Sequence, residues 1–366
     1  MTSIISRFGL AATMLAGSVL SVGAETITYG AYGSTKSVLV REGIIPFLEA
    51  AKEKSSNEID YQLMAGGAVV GTKTTLAGIR DGIVDGGMVS TIYYPTDLPV
   101  LNTIASLSVL GGDPRVAAAA FTETVLLNCE GCLAELASWN VQFLGGYSTA
   151  PYSFLCVDPL TTLSDLNGKR IRSTAALSGI ATAVGGVPVN MTISEVYEGL
   201  QRGQIDCTLG SPGWLVTRSF GDVAKNVLLT ASGATFGGPM LNLRKDMWED
   251  LTDTQRAVLL DAAPIGVAKA AFAYRNESEK VINDAETLGF NVTQPGQEVR
   301  DVIDAHIEAE TQRVVAAASE AGVADADAIV GAFIENLAKW ETIVDELGDD
   351  IDAYEAALRR EIYGKL

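Results

Sequence analysis

The sequence predicts an α/β protein built as two similar lobes, and three observations carry that prediction. Strands and helices alternate from residue 26 to residue 89, one stretch occurs twice, and everything after residue 250 has helical spacing. Strands rich in β-branched and aromatic residues, separated by amphipathic helices, give a mainly parallel sheet, because parallel neighbours need a crossover and a helix supplies it.

Residues 26–31 (TITYGA) have strand composition, and 39–53 are spaced as an amphipathic helix. A second strand at 59–64 (IDYQLM) leads into a Gly-rich turn at 65–71, a helix at 74–81 and a strand at 84–89. The turn, GGAVVGTKT at 66–74, superficially resembles a phosphate-binding loop. That loop requires Gly directly before Lys, and Thr72 stands between Gly71 and Lys73, so a tight strand-to-helix turn is preferred. Residues 114–139 read as a helical run, and 142–157 (QFLGGYSTAPYSFLCV) as extended chain in which 147–152 cross between lobes. Residues 227–231 and 239–243 also have strand character. From 250 onward Ala, Glu, Asp and Leu recur at amphipathic spacing, as expected of long helices strapping the lobes together. No low-complexity linker separates the lobes, so several crossings should join them.

The duplicated stretch is LAGIRDGIVDGGMVS at 76–90 and YEGLQRGQIDCTLGS at 197–211. Without a gap, Gly78 matches Gly199, Gly82 matches Gly203, Asp85 matches Asp206 and Ser90 matches Ser211. Each copy reads as a helix end, a Gly that supplies the left-handed turn, and a short buried strand ending at a serine. Ligands of open α/β sheets bind beyond the carboxyl ends of strands, so Ser90 and Ser211 are candidate ligand contacts from two lobes facing one cleft. A chance likeness of two Gly-rich segments is the competing explanation.

The chain begins with Met1, one cation at Arg7, an apolar stretch at 8–22 and small residues ending at Ala24, the layout of a secretory signal cut after Ala24. The apolar stretch is short for a bilayer crossing, and no Cys follows it to carry a lipid. The mature chain is therefore expected outside the cytoplasm, in the periplasm. With 26 Lys and Arg against 45 Asp and Glu, the full sequence has a net charge of −19, which opposes binding to nucleic acid or anionic lipid; solubility in a salty medium accounts for it. Cys129, Cys132, Cys156 and Cys207 are compatible with two structural disulfides in an exported protein. The CxxC at 129–132 lacks a thioredoxin-like context for redox work, and one CxxC with one histidine, His306, does not complete a zinc site. No metal and no cofactor is expected.

Catalytic materials are sparse: His306 falls among the terminal helices, and no GxSxG, HExxH or ligand cluster occurs. A carboxylate-pair enzyme stays open on composition alone. Arg172 stands out, at the end of an alternating Arg170-Ile171-Arg172 strand and before the small residues 173–178 that open a helix. A planar guanidinium beside free helix-end N–H groups is a receptor for a carboxylate, although the spacing alone fits a solvated surface arginine equally well. Tyr32, Tyr93, Tyr152, Trp214 and Phe236 fall near the same cleft. They could wall a ligand or cage a cation, or simply pack the lobes.

From Thr26 to about Ala263 the sequence resembles the DctP-type solute-binding proteins of tripartite ATP-independent periplasmic (TRAP) transporters. The stretches that carry the resemblance are MAGGAVVGTKTTLAGIRDGIVDGGMVS (64–90), LSDLNGKRIRS (163–173), GGVPVNMTISEVYEGLQRGQID (185–206) and MLNLRKDMWEDLTDTQRAVLLDAA (240–263). The resemblance implies the two-lobed periplasmic binding protein fold, with a hinge and a long lobe-spanning helix. It implies that Arg172 forms the ion pair with a ligand carboxylate. Ser211 stands where several members place Asn or another polar residue. Tyr152 falls where some members carry a second arginine, which favours a monocarboxylate, hydroxy acid or zwitterion over a dicarboxylate.

The expected organisation is a signal at 1–24, a first lobe of 25–149 plus about 238–277, a second of 150–237 plus about 278–335, and a helical extension at about 336–366. The expected function is transport: hinge closure on a small organic acid or zwitterion by a non-enzymatic monomer, followed by delivery to TRAP membrane subunits. A secreted carboxylate-site enzyme and a ligand sensor for a membrane receptor are the alternatives.

Overall fold

The computed structural model describes residues 25–174 and 176–366. The expected signal segment and its cleavage point lie outside the described residues.

In chain order the strands are β1 (Glu25–Gly30), β2 (Ile59–Met64), β3 (Gly86–Gly87), β4 (Val141–Gly145), β5 (Ser153–Cys156), β6 (Arg170–Arg172), β7 (Val187–Val189), β8 (Cys207–Gly210), β9 (Asn226–Leu228), β10 (Leu241–Arg244) and β11 (Asn291–Thr293). They form two main sheets. The first has the parallel order β2-β1-β3, extended beyond β3 by the antiparallel pair β10-β4. The second has the order β11-β9-β5-β8-β6-β7 and is parallel except at β5, which runs against both β8 and β9.

The strand expected at 84–89 is regular only at Gly86–Gly87. Its flanks still bond β1, Asp85 N–H to the Thr28 carbonyl at 2.7 Å and Met88 N–H to Gly30 at 2.9 Å, but Val89 turns to the Pro239 carbonyl at 3.0 Å. The Asn242 amide fastens β3 to β10, donating to the Gly87 carbonyl and accepting from the Gly87 N–H at 3.1 Å. The helical run expected at 114–139 breaks at Cys129 into two helices bent by 85°, and Cys129 is bonded to Cys132 at the break. The other disulfide joins Cys156 to Cys207, which face each other across β5 and β8.

Two chain crossings link the sheets and pair with each other. Thr149 N–H donates to the Thr235 carbonyl at 2.9 Å and Tyr152 N–H to Gly233 at 2.6 Å. The helix Asp253–Asn283 is the third link. It starts from a Thr252/Gln255 capping box, packs on Ile45–Lys54 and Pro114–Glu123 of the first lobe, and reaches Trp214–Thr217 of the second. Gly266 lets it approach closely, because a Cβ there would lie 2.8 Å from the Gly43 carbonyl oxygen. Its length and apolarity would suffice to cross a membrane, yet its faces are buried against both lobes, which explains the apolar composition.

The helix Gln297–Glu320 touches Leu177–Ala183 of the second lobe and Pro99–Ala105 of the first. Ala326–Leu347 and Ile351–Glu361 then return to the first lobe. Trp340 Nε1 donates to Glu123 Oε2 at 2.6 Å, and Phe333 stacks against Phe236. The helix Ala326–Leu347 packs chiefly on Pro114–Glu123.

Candidate ligand-binding site

Both copies of the duplicated stretch aim a strand end at the gap between the sheets by the same device. Asp85 accepts the Thr28 N–H at 2.9 Å, and Asp206 accepts the Arg170 N–H at 2.8 Å, so each carboxylate pins its strand to a neighbour one residue before the strand begins. An arginine closes each arrangement, Arg244 on Asp85 and Arg170 on Asp206.

β6 brings Arg172 to the same place. Arg170 and Arg172 share one face of the strand. Arg170 lies at the exposed end, where it is consumed by Asp206, whereas Arg172 lies at the carboxyl end and is only 2% exposed. Arg172 Nε donates to the Met191 carbonyl at 3.0 Å, and Nη2 lies 3.5 Å from the Tyr93 hydroxyl. Among the described residues it has no ion-pair partner. Glu195, whose titration Arg172 influences, is occupied by the Thr192 hydroxyl and N–H, which hold its carboxyl below the usual range with smaller help from Lys73 and Arg172. A guanidinium buried without a counter-ion is costly, and an anion brought to it relieves that cost.

Tyr32, Ser90, Tyr93, Tyr152, Arg172 and Trp214, six of the eight residues expected from sequence, line one cavity between the lobes. Tyr93 of the first lobe accepts the Ile193 N–H of the second at 3.1 Å as well as facing Arg172, so it fastens the lobes at the cavity. The Tyr147 hydroxyl donates to Ser90 Oγ at 2.9 Å. Burial raises the phenols of Tyr32, Tyr147, Tyr152 and Tyr274, which keeps them neutral hydroxyls that can donate to an anion.

Two expected contacts lie elsewhere. Ser211 is fully buried with its hydroxyl 2.8 Å from Ser278 of the long helix, so its hydrogen bond is spent on holding that helix. Phe236 is fully buried against Phe333, because the crossing that carries it turns its ring into the first lobe. Conversely, Tyr147, Arg218 and Tyr274 line the cavity and were not foreseen. Arg218 stands four residues beyond Trp214, with its guanidinium carbon 5.2 Å from the indole centre; helical spacing from Trp214 was the available signal. Tyr274 had none, since only packing of the long helix decides which of its residues meets the cleft.

The cavity encloses about 30 Å³, far below the several hundred Å³ of typical small-molecule sites. A larger groove of about 550 Å³ lies outside it, where Gln297–Glu320 crosses the lobes, and holds His306, Glu310 and Arg313. There Arg313 pairs with Glu310 at 2.8 Å, so the groove offers no uncompensated charge. The buried cation makes the smaller cavity the candidate site.

Two sheets joined by paired crossings and a spanning helix, with an uncompensated arginine between them, define a two-lobed ligand receptor. Residues 31–318 match the family of bacterial extracellular solute-binding proteins, family 7 (DctP), and the chain belongs to that family. A relative, the C4-dicarboxylate-binding periplasmic protein DctP of Rhodobacter capsulatus, is 32% identical over 138 residues, which are 36% of this chain and 41% of the relative; the match thus spans less than half of that protein. The fold is also that of a marine metagenome TRAP solute-binding protein specific for aromatic acid ligands, in complex with metahydroxyphenylacetate (TM-score 0.75, 18% identity, 86% of this chain and 99% of that one). A TRAP periplasmic solute-binding protein from Bordetella bronchiseptica with bound mandelate is similar as well (TM-score 0.71, 20% identity, 86% and 99% covered).

Proposed function

We propose that this protein captures a small organic acid between its lobes and delivers it to the membrane subunits of a TRAP transporter. The observation that carries the reading is Arg172, 2% exposed and without a carboxylate partner among the described residues, at the wall of a cavity lined by neutral tyrosine hydroxyls. The relatives agree in ligand chemistry: the Rhodobacter protein is named for C4-dicarboxylates, and the two solved structures hold carboxylic acids.

The mechanism follows from the geometry. The lobes part about the two paired crossings, a carboxylate meets the Arg172 fork, and closure returns Tyr93 to Ile193 and Arg172. Expelling water lowers the local dielectric and strengthens the ion pair. Ser90 and Tyr147 supply a second polar contact from the first lobe. The described lining contains no Asp, Glu, His or Cys. The reading is binding and release of an unaltered ligand by an exported, monomeric receptor. The alternation of sheets supports lobes of roughly 25–149 and 150–237, with the long helices shared between them.

The test is calorimetry of the mature protein against aliphatic and aromatic carboxylates, with mass spectrometry of the recovered ligand. Binding should weaken on the order of 100-fold or more in Arg172→Ala, since the ligand's charge would be buried unpaired. Unchanged affinity in that variant, or recovery of a chemically altered ligand, would sink the reading.

A further inference from the structure

We infer that His306 is a proton-sensitive seat between the helix Gln297–Glu320 and the second lobe, so that acid favours parting of the lobes. The inference rests on the hinge closure proposed above and not on the chemistry of the ligand.

That helix is fastened to both lobes. It leaves the second lobe after β11, where the Gly296 N–H donates to the Thr161 carbonyl at 3.3 Å and Glu298 accepts the Leu163 N–H at 3.1 Å. It also packs on Leu177–Ala183 of the second lobe and on Pro99–Ala105 and Ser106–Leu110 of the first. A straight helix held by both lobes cannot keep both seats when the angle between them changes. His306 stands at the second-lobe seat. Its side chain is 7% exposed, and its ring fills the space that Gly179 leaves, since a Cβ there would lie 2.3 Å from the ring's Cε1. The groove beside it is bounded by both lobes, with Asn102 on one side and Gly179 and Asn190 on the other, so movement of the lobes changes the hydration of the ring.

The seat suits the neutral ring. A guanidinium donates and cannot accept, so Arg313 Nη2, 3.0 Å from Nδ1, makes that nitrogen the acceptor and leaves the ring's proton on Nε2, which faces the Ala176 carbonyl of the second lobe. A second proton has to enter at Nδ1, against the Arg313 cation. Arg313 is held in place by the His306 carbonyl at 3.1 Å and by Glu310 at 2.8 Å, and Glu310, spent on that pair, stays 3.6 Å from Nε2. Among the described residues lining the groove, these three are the only charged or titratable ones, and the facing segments of the two lobes add none. Burial first and Arg313 second hold His306 below its ordinary value of 6.5, against the Ala176 carbonyl, which raises it. A base depressed in the closed form favours that form above its ordinary value, and the preference is lost as the pH falls below it. Burial raises Glu310, whose proton uptake acts in the opposite sense, so opening in acid belongs to the imidazole.

The Ile193 N–H, which donates to Tyr93 across the lobes, reports closure through hydrogen exchange without any ligand. Its exchange, corrected for the intrinsic rate, is followed from about pH 8 to about pH 5, the range in which an imidazole titrates. The proteins are the wild type, His306→Gln, Arg313→Gln, Gly179→Ala and Gly179→Ala/His306→Ala, with thermal unfolding at each pH as a check on folding. Protection in the wild type should fall about fivefold or more in acid, the lower end of ordinary coupling between sites. His306→Gln should hold its alkaline protection throughout, and Arg313→Gln should lose less than the wild type. Gly179→Ala, whose methyl group displaces the ring, should be poorly protected even in alkali, and the double variant should recover. Protection of the wild type that does not change with pH, or a fall that persists in His306→Gln, overturns the inference. Arg172-dependent binding is read separately by calorimetry and stands or fails independently of either result.

Discussion

In the two copies of the duplicated stretch the backbone takes the same course. Gly82 and Gly203 end their helices at φ +70° and +62°, Ile83 and Gln204 N–H groups return to the carbonyls of Gly78 and Gly199 at 2.8 Å, and Asp85 and Asp206 each cap the neighbouring strand. The fastening of the strands then differs. The first copy carries Gly86-Gly87 where the second carries Cys207-Thr208. A Cβ on Gly86 would sit 2.6 Å from the Asn242 carbonyl oxygen and from the Tyr29 ring, so bare backbone lets β10 close on β3 and be sewn there by the Asn242 amide. In the second copy Cys207 is tied covalently to Cys156 on β5. One local plan has thus been fitted to two surroundings, by removing a side chain in one lobe and cross-linking in the other.

The serines that end the copies diverge in the same way. Ser90 faces the cavity and accepts from Tyr147, whereas Ser211 holds Ser278 of the long helix. The first copy leads to the ligand through its serine. The second leads there through Trp214 and Arg218, a helical turn further on.

Removing the covalent fastening should have the largest effect. The Cys156–Cys207 bond spans 51 residues, and Cys156→Ala/Cys207→Ala should cost about 4 kcal/mol by loop-closure entropy, read from urea denaturation. A loss no greater than that on removing the Cys129–Cys132 bond, of separation 3, would break the contrast between the two fastenings.

Gly86→Ala comes next. Its methyl group would push β10 away from β3, for a loss of about 1–3 kcal/mol by overpacking. The comparison fails if this variant unfolds at the wild-type midpoint.

For ligand binding the serines should separate cleanly. Ser90→Ala should weaken affinity by about 1 kcal/mol, roughly fivefold, whereas Ser211→Ala should leave affinity unchanged and lower only the melting temperature. The reverse pattern in calorimetry would return Ser211 to the site.

The smallest expected effect is on acid stability. The Arg170 side chain, above all, holds the Asp206 carboxyl below its usual range against an opposing burial effect. A depressed folded value contributes stability above the unfolded carboxylate pKa of about 3.9, and the contribution disappears as pH falls through the folded value. Asp206→Asn should therefore be less stable than wild type at pH 7, with the gap narrowing below about pH 4. A gap that widens in acid would show that Asp206 is not the strand's pin.

Local pattern was sufficient for much of this molecule. Alternating strands and helices, the glycines at 82 and 203, the paired aspartates and the position of Arg172 at a strand end follow from rules that act within a few residues: side-chain periodicity, the need for left-handed turns, and the capping of free N–H groups. The strand-end rule put Ser90 at the cleft, Tyr32, Tyr93, Tyr152 and Trp214 were expected beside it with Tyr152 located by the family resemblance, and the chain's acidity and lack of catalytic motifs were legible from the sequence. Tertiary packing alone decided the rest. It determined which cysteines meet, because pairing depends on β5 running against β8, and it turned Ser211 and Phe236 into the lobes, because the long helix and Phe333 claimed them. It also brought Tyr274 to the cavity from a segment distant in the chain. A hydrogen bond or an ion pair is settled by whichever group arrives within about 3 Å, and no local pattern records that.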